Sequence, residues 1–253
     1  MMKQLTLISL YGKKPANLSD LILRCTEFIQ ESKLQRVFKP YHMHQIHGTF
    51  FGMEKLIGFS ECFNANIWTN TGKKEAMNFK LLRETVLQYL PMTVRFSGFG
   101  KTFNGFKSFG KYPYERSFQV QWTTNKVTLI GWPHRNDEFS PRMLLKTLRS
   151  EVASKCNIRH KYHDDNDLFL VIGEIAGMQF LSDSERRELK TTASNLEEKA
   201  RIFLESQVVD VEIGSDQVFF ARYGIESLPL DSTDIYCINN PEVDNGFLIN
   251  LYE

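Results

Sequence analysis

The chain has 253 residues, more than one average domain and fewer than two large ones, which fits one large domain or two small fused lobes. With 42% hydrophobic and 24% charged residues, 15 glycines and 8 prolines, it is neither collagen-like, low-complexity nor wholly disordered. Lys and Arg total 31 against 30 Asp and Glu, a formal charge of +1, so no global field attracts nucleic acid and any phosphate recognition must be local.

Cys25, Cys62, Cys156 and Cys237 form no CxxC pair. They predict neither a structural zinc nor a redox dithiol, but free thiols in a reducing compartment. No segment approaches the ~20 apolar residues of a membrane span. Residues 5–11 are interrupted by Thr6 and Ser9 and are too short for a secretory leader. A cytoplasmic protein without membrane partners is expected.

Residues 5–11, rich in strand formers and stopped by Gly12, predict an opening strand. A helix follows, with Asn17 as N-cap and Leu18, Leu21, Ile22, Cys25, Phe28 and Ile29 on one face. Residues 45–52 read as a second strand. After a polar connection at 69–74 comes a helix carrying Phe79, Leu82, Val86 and Leu90, closed by Pro91 and followed by a strand at 93–96.

From Val127 the order begins again. Leu5-Thr6-Leu7-Ile8-Ser9 and Val127-Thr128-Leu129-Ile130-Gly131 match residue type by residue type at an offset of 122 (127 minus 5). Ser140 as N-cap and Pro141 at the first helical position open a helix with Leu144, Leu145, Leu148, Val152 and Cys156 inward. Residues 168–175 predict a strand, and Ser182-x-x-Glu185 a capping box before a helix with the stripe Leu189, Ala193, Leu196, Ala200 and Phe203. Repetition of strand, helix, strand, helix implies an internal duplication: a first lobe at 1–95, bridging strands at 96–126, a second lobe at 127–213 and completing strands at 214–253. A cleft between two such lobes is a natural ligand site.

Three of six histidines stand in Tyr41-His42-Met43-His44-Gln45-Ile46-His47-Gly48-Thr49. On a strand, alternation puts His47 and Thr49 on one face and His42 and His44 on the other. His47 could move a proton and Thr49 hold a phosphate oxygen, with Gly48 leaving the backbone open to close approach; periodicity alone favours a histidine packed at a strand edge. His42 and His44 have no third ligand at metal spacing, so no metal or other cofactor is expected.

His47-Gly48-Thr49-Phe50-Phe51-Gly52 resembles the His-x-Thr/Ser motif of the two-histidine (2H) phosphoesterases, which include RNA 2′,3′-cyclic phosphodiesterases and 2′,5′-RNA ligases, and the element order is similar over nearly the whole chain. The resemblance implies an α+β, internally duplicated, bilobal fold with a central cleft, into which each lobe brings one motif. One histidine then serves as base and the other as acid on a 2′-linked phosphodiester, without metal. This chain departs from that pattern. Matching Gly52 with Gly173 sets Leu168 and Leu170 against His47 and Thr49, and leucine neither transfers protons nor binds phosphate. His163, in the polar loop 160–165, and His134 are the candidate substitute acids, and both also read as ordinary loop histidines.

Residues 96–111 alternate phenylalanine, glycine and lysine. Gly100-Lys101-Thr102 imitates a P-loop ending, but Arg95 replaces the required glycine. A stacking surface for nucleotides and a bent strand or hairpin with its phenylalanines in the core remain as readings. Residues 184–190 read as the solvated side of a helix, and Pro229 ends a strand at a sheet edge. The expected site is catalytic His47, Thr49 and His163. Two functions compete: a metal-independent phosphodiesterase for RNA ends or cyclic nucleotides, and a catalytically silent module that binds nucleotides or a protein in the same cleft.

Overall fold

The computed structural model describes residues 3–139 and 143–253. β1 (Gln4–Ser9) turns through Gly12, at φ +88°, into α1 (Ala16–Gln30), then β2 (Phe38–Pro40) and β3 (Gly48–Gly52). The chain continues through α2 (Ala65–Thr71), α3 (Leu82–Leu87) and β4 (Met92–Arg95), an irregular segment, α4 (Pro113–Arg116) and β5 (Phe118–Gln121). Next come β6 (Lys126–His134), α5 (Leu144–Cys156), β7 (Leu168–Ile175), α6 (Asp183–Glu205), β8 (Asp210–Ile213), β9 (Val218–Tyr223), β10 (Asp234–Cys237) and α7 (Asn245–Asn250).

The class is α+β, built on an open antiparallel sheet in the order β10-β9-β1-β3-β7-β6-β4-β8, with β2 added to β7 and β5 to β6. β1 and β3 are neighbours joined through α1, and β6 and β7 are neighbours joined through α5. β4 crosses to pair with β6, and β9 returns to pair with β1.

Strand alternation separates two faces. Leu5, Leu7, Val127, Leu129, Leu168, Leu170 and Ile172 enter the main core with the apolar stripes of α1, α5 and α6. Each such side chain, fully buried, contributes ~1.5–3 kcal/mol through lost water contact. On the other face Ile8 packs with Tyr11, Ala221, Tyr223 and Leu228, while Ile130 and Trp132 pack with Phe99 and Phe139. The candidate residue Thr49, paired with Ile8, lies on this second face.

Several local expectations change. His42, Met43 and His44 form a turn, with the amides of Gln45 and Ile46 both donating to the His42 carbonyl, so the strand starts at Gly48. Asn17 lies inside α1, which Pro15 precedes. Residues 97–112 form neither strand nor hairpin but turns with one isolated bridge, Ser108 to Lys111. The Ser182–Glu185 capping box is present, and Ser140 and Pro141 lie outside the described residues.

Candidate functional site

His47 is half-buried immediately before β3, with Nδ1 2.8 Å from the Gln45 carbonyl oxygen. A carbonyl only accepts, so Nδ1 carries the proton and Nε2 keeps its lone pair. Burial pushes the imidazole down to about 4, Lys14 and Lys126 add to the effect, and the Gln45 bond opposes it. At neutral pH the ring is therefore a base with its tautomer fixed.

Around it the turn after β1 supplies Tyr11, whose ring centroid is 6.1 Å from that of His47. Tyr11 donates to the Leu228 carbonyl at 3.0 Å, and Gln45 Nε2 to the Ser227 carbonyl at 2.7 Å, so both tie the loop after β9 against the site. Lys14 is buried, its Nζ donating to the carbonyls of Gly12 and Met43. Burial lowers its pKa to about 8. Lys126 stands 3.8 Å from Glu226. Thr49, two residues beyond His47 and half-buried, pairs with Ile8 on the second face.

Gly48 serves packing rather than ligand approach. It pairs with Leu170 at the junction of β3 and β7, and a Cβ there would lie 2.7 Å from Leu168 Cγ. A larger residue would hold the two strands apart.

β6 and β7 pair in a different register. Ile8 pairs with Thr49 and Ser9 with Gly48, whereas Ile130 pairs with Phe169 and Gly131 with Leu168. Carried through the offset of 122, this register sets Phe169 at the place of Thr49 and Asp167 at that of His47, one residue from the expected match. Leu168 and Leu170 point into the main core instead. Asp167 is fully buried and saturated: it accepts from Ser108 Oγ at 2.7 Å, Trp132 Nε1 at 2.6 Å and the Arg116 guanidinium. Its carboxylate is held by these three side chains of the protein itself.

His163 lines a cavity of about 360 Å³ whose walls include Trp132, Asp165 and Asp167 but neither His47 nor Thr49. Its Nδ1 is buried without a partner, and burial, chiefly, together with Arg159 lowers its pKa. His134 is buried with Nε2 3.2 Å from Asp210, and its Nδ1 accepts from the Asp137 amide. The structure thus groups His47 with Thr49 and leaves His163 and His134 in other surroundings. The phenylalanines of the 97–112 segment close the second face over β6 and β7: Phe99 meets Trp132 at 5.1 Å and Phe139 at 5.3 Å, with Phe103 and Phe106 against them.

Sequence reasoning missed Tyr11, Lys14 and Lys126. Lys14 looks like any loop lysine beside Gly12, and only the fold buries it. Among the described residues no group of three His, Cys, Asp or Glu side chains could hold a metal ion, and no helix is long and apolar enough to cross a membrane.

No family model and no curated protein matches the chain. Among solved structures, a conserved protein of unknown function from Agrobacterium tumefaciens strain C58 is similar over 88% of this chain and 82% of its own, at 9% identity and a TM-score of 0.45.

Proposed function

We propose that the chain is an internally duplicated, 2H-phosphoesterase-like protein that binds the phosphate of a nucleotide or an RNA 2′-linked end in a central cleft between its lobes, at His47 and Thr49. The twofold occurrence of strand, helix and antiparallel strand, with third strands exchanged between halves, supports the duplication. The observation that carries the function is the His47 ring: its Nδ1 proton is held by Gln45, its Nε2 is free to act, and Lys14 and Lys126 act on it electrostatically. Thr49 supplies a hydroxyl donor two residues away, and the two ammonium groups supply the charge that draws an anion.

Turnover is slow at best. On a 2′,3′-cyclic phosphate, His47 Nε2 takes the proton of the attacking water, and the departing ribose oxygen must take its proton from bulk water. With Asp167 committed elsewhere, the step forfeits the ~10²–10⁴ that one positioned acid supplies. The protein is in the first place a binder, consistent with a site that holds one functional half, and no cofactor enters this scheme.

Calorimetry with a 2′,3′-cyclic nucleotide in EDTA tests this. Binding should weaken by ~1–3 kcal/mol in Thr49→Val, because a phosphate oxygen loses its donor. Hydrolysis should be slow and vanish in His47→Ala. Undiminished affinity in both variants would move the site elsewhere.

A further inference from the structure

The cavity of about 360 Å³ beside β6 and β7 has the size of a small-ligand pocket and a lining of unlike chemistry on its two sides. One side is the aromatic block, where Phe106 and Phe139 stack at 5.5 Å and Trp132 sits fully buried. Its shape is fixed, because Trp132 Nε1 is bonded to Asp167 and the rings lock edge to face. The opposite side is the 161–167 loop, held from beneath by Arg149, which bonds the carbonyls of Asp165 and Asp167. Exposed rings flank the opening: Phe109 at 66% exposure and Tyr162 at 47%.

Charge at the opening is uneven. Asp165 and Asp167 are paired with Arg149 and Arg116. Lys107 and Lys161, both in the lining, have no carboxylate within 4.0 Å among the described residues, and each rests near a tyrosine ring, Tyr112 at 4.8 Å and Tyr162 at 5.5 Å. Among the described residues Asp164 is the one carboxylate of the lining without an ion pair, against the two ammonium groups.

We propose that this cavity is a second ligand site, separate from His47, which takes a small planar aromatic anion: the ring lies against the aromatic block and the anionic group meets Lys107 and Lys161 at the opening. His163 then belongs to a binding wall rather than to the proton relay of the first site. Apolar walls and edge-to-face rings select a flat ring, and the lysines select its charge. A phosphate on a nucleobase-bearing ligand and a carboxylate on an arene present the same chemistry to these groups.

The test is calorimetric titration of the full chain carrying His47→Ala, which silences the first site, with adenosine 5′-monophosphate and with 2-naphthoate. At least one should bind, and the double variant Lys107→Ala/Lys161→Ala and, separately, Tyr162→Ala should each weaken it about tenfold. These side chains are at the surface, so the melting temperature should stay near that of the parent. Binding of the nucleotide alone identifies a phosphate source, and of naphthoate alone a carboxylate. Failure of both to bind, indifference to the lysine and tyrosine variants, or equal affinity for adenosine or inorganic phosphate would overturn the proposal. Because the first site is absent from these titrations, their outcome is independent of the His47 reading.

Discussion

Arg149 and Phe50 are joined by a bond of 2.7 Å from the guanidinium Nε to the main-chain carbonyl, across 99 residues of sequence. The same fully buried guanidinium reaches the Thr49 carbonyl at 3.3 Å and the Asp165 carboxylate, so α5 ties the strand of the first site to the loop of the second cavity. Removing one partner of such a pair leaves the other charge buried and alone. Arg149→Met is expected to cost ~3–5 kcal/mol, read as a shift of the urea midpoint. Asp165→Asn should cost less, since its amide still accepts from the guanidinium.

His47 gives the stability a sign with pH. Its folded pKa of about 4 lies below the ordinary 6.5, so between these values the unfolded chain binds the extra proton. The His47 contribution to stability should fall as pH drops from about 6.5 to about 4 and level off below, while Asp165, raised by burial to about 6, acts in the opposite direction. His160, lowered by the same burial, adds in the same direction as His47. The difference between wild type and His47→Gln in thermal melts isolates the His47 share, and parallel curves would contradict the buried neutral ring.

Lys14 sets the other limb. With its pKa lowered to about 8, it is cationic below that pH and neutral above it. Affinity for a phosphate ligand at His47 should therefore decline as pH rises through about 8, and Lys14→Met should remove that decline while weakening binding below it. Titrations at pH 6.5 and 9 are sufficient to see the change.

Gly48 and Leu168 form a steric pair. Gly48→Ala places its methyl 2.7 Å from Leu168 Cγ and should destabilise by ~1–3 kcal/mol through overpacking. Leu168→Ala alone should cost ~2–5 kcal/mol through its cavity. The double variant should cost less than the sum, and strict additivity in a denaturant cycle would show that the two side chains do not compete for one space.

Much of the framework is legible because it is written in local periodicity. The alternation of Leu5 and Leu7, the α1 stripe and the Ser182–Glu185 cap all depend on residues a few positions apart. What local pattern cannot encode is convergence. Asp167 draws its donors from Ser108, Arg116 and Trp132, and Lys14 is buried by carbonyls at Gly12 and Met43. His42-Met43-His44 shows the opposite failure, since a strand-like alternation was overruled by a turn closing on the His42 carbonyl. The one-residue displacement of the second motif arises because matching Gly52 with Gly173 carries an offset of 121 (173 minus 52), whereas the pairings Ile8–Thr49 and Ile130–Phe169 carry 120 (169 minus 49).

The block of Phe99, Phe103, Phe106, Phe139 and Trp132 gives the molecule a built-in occupant. Over β6 and β7 the second face is covered by the protein's own rings. Any small molecule that reaches this face therefore meets a wall of interlocked rings rather than bare strand backbone.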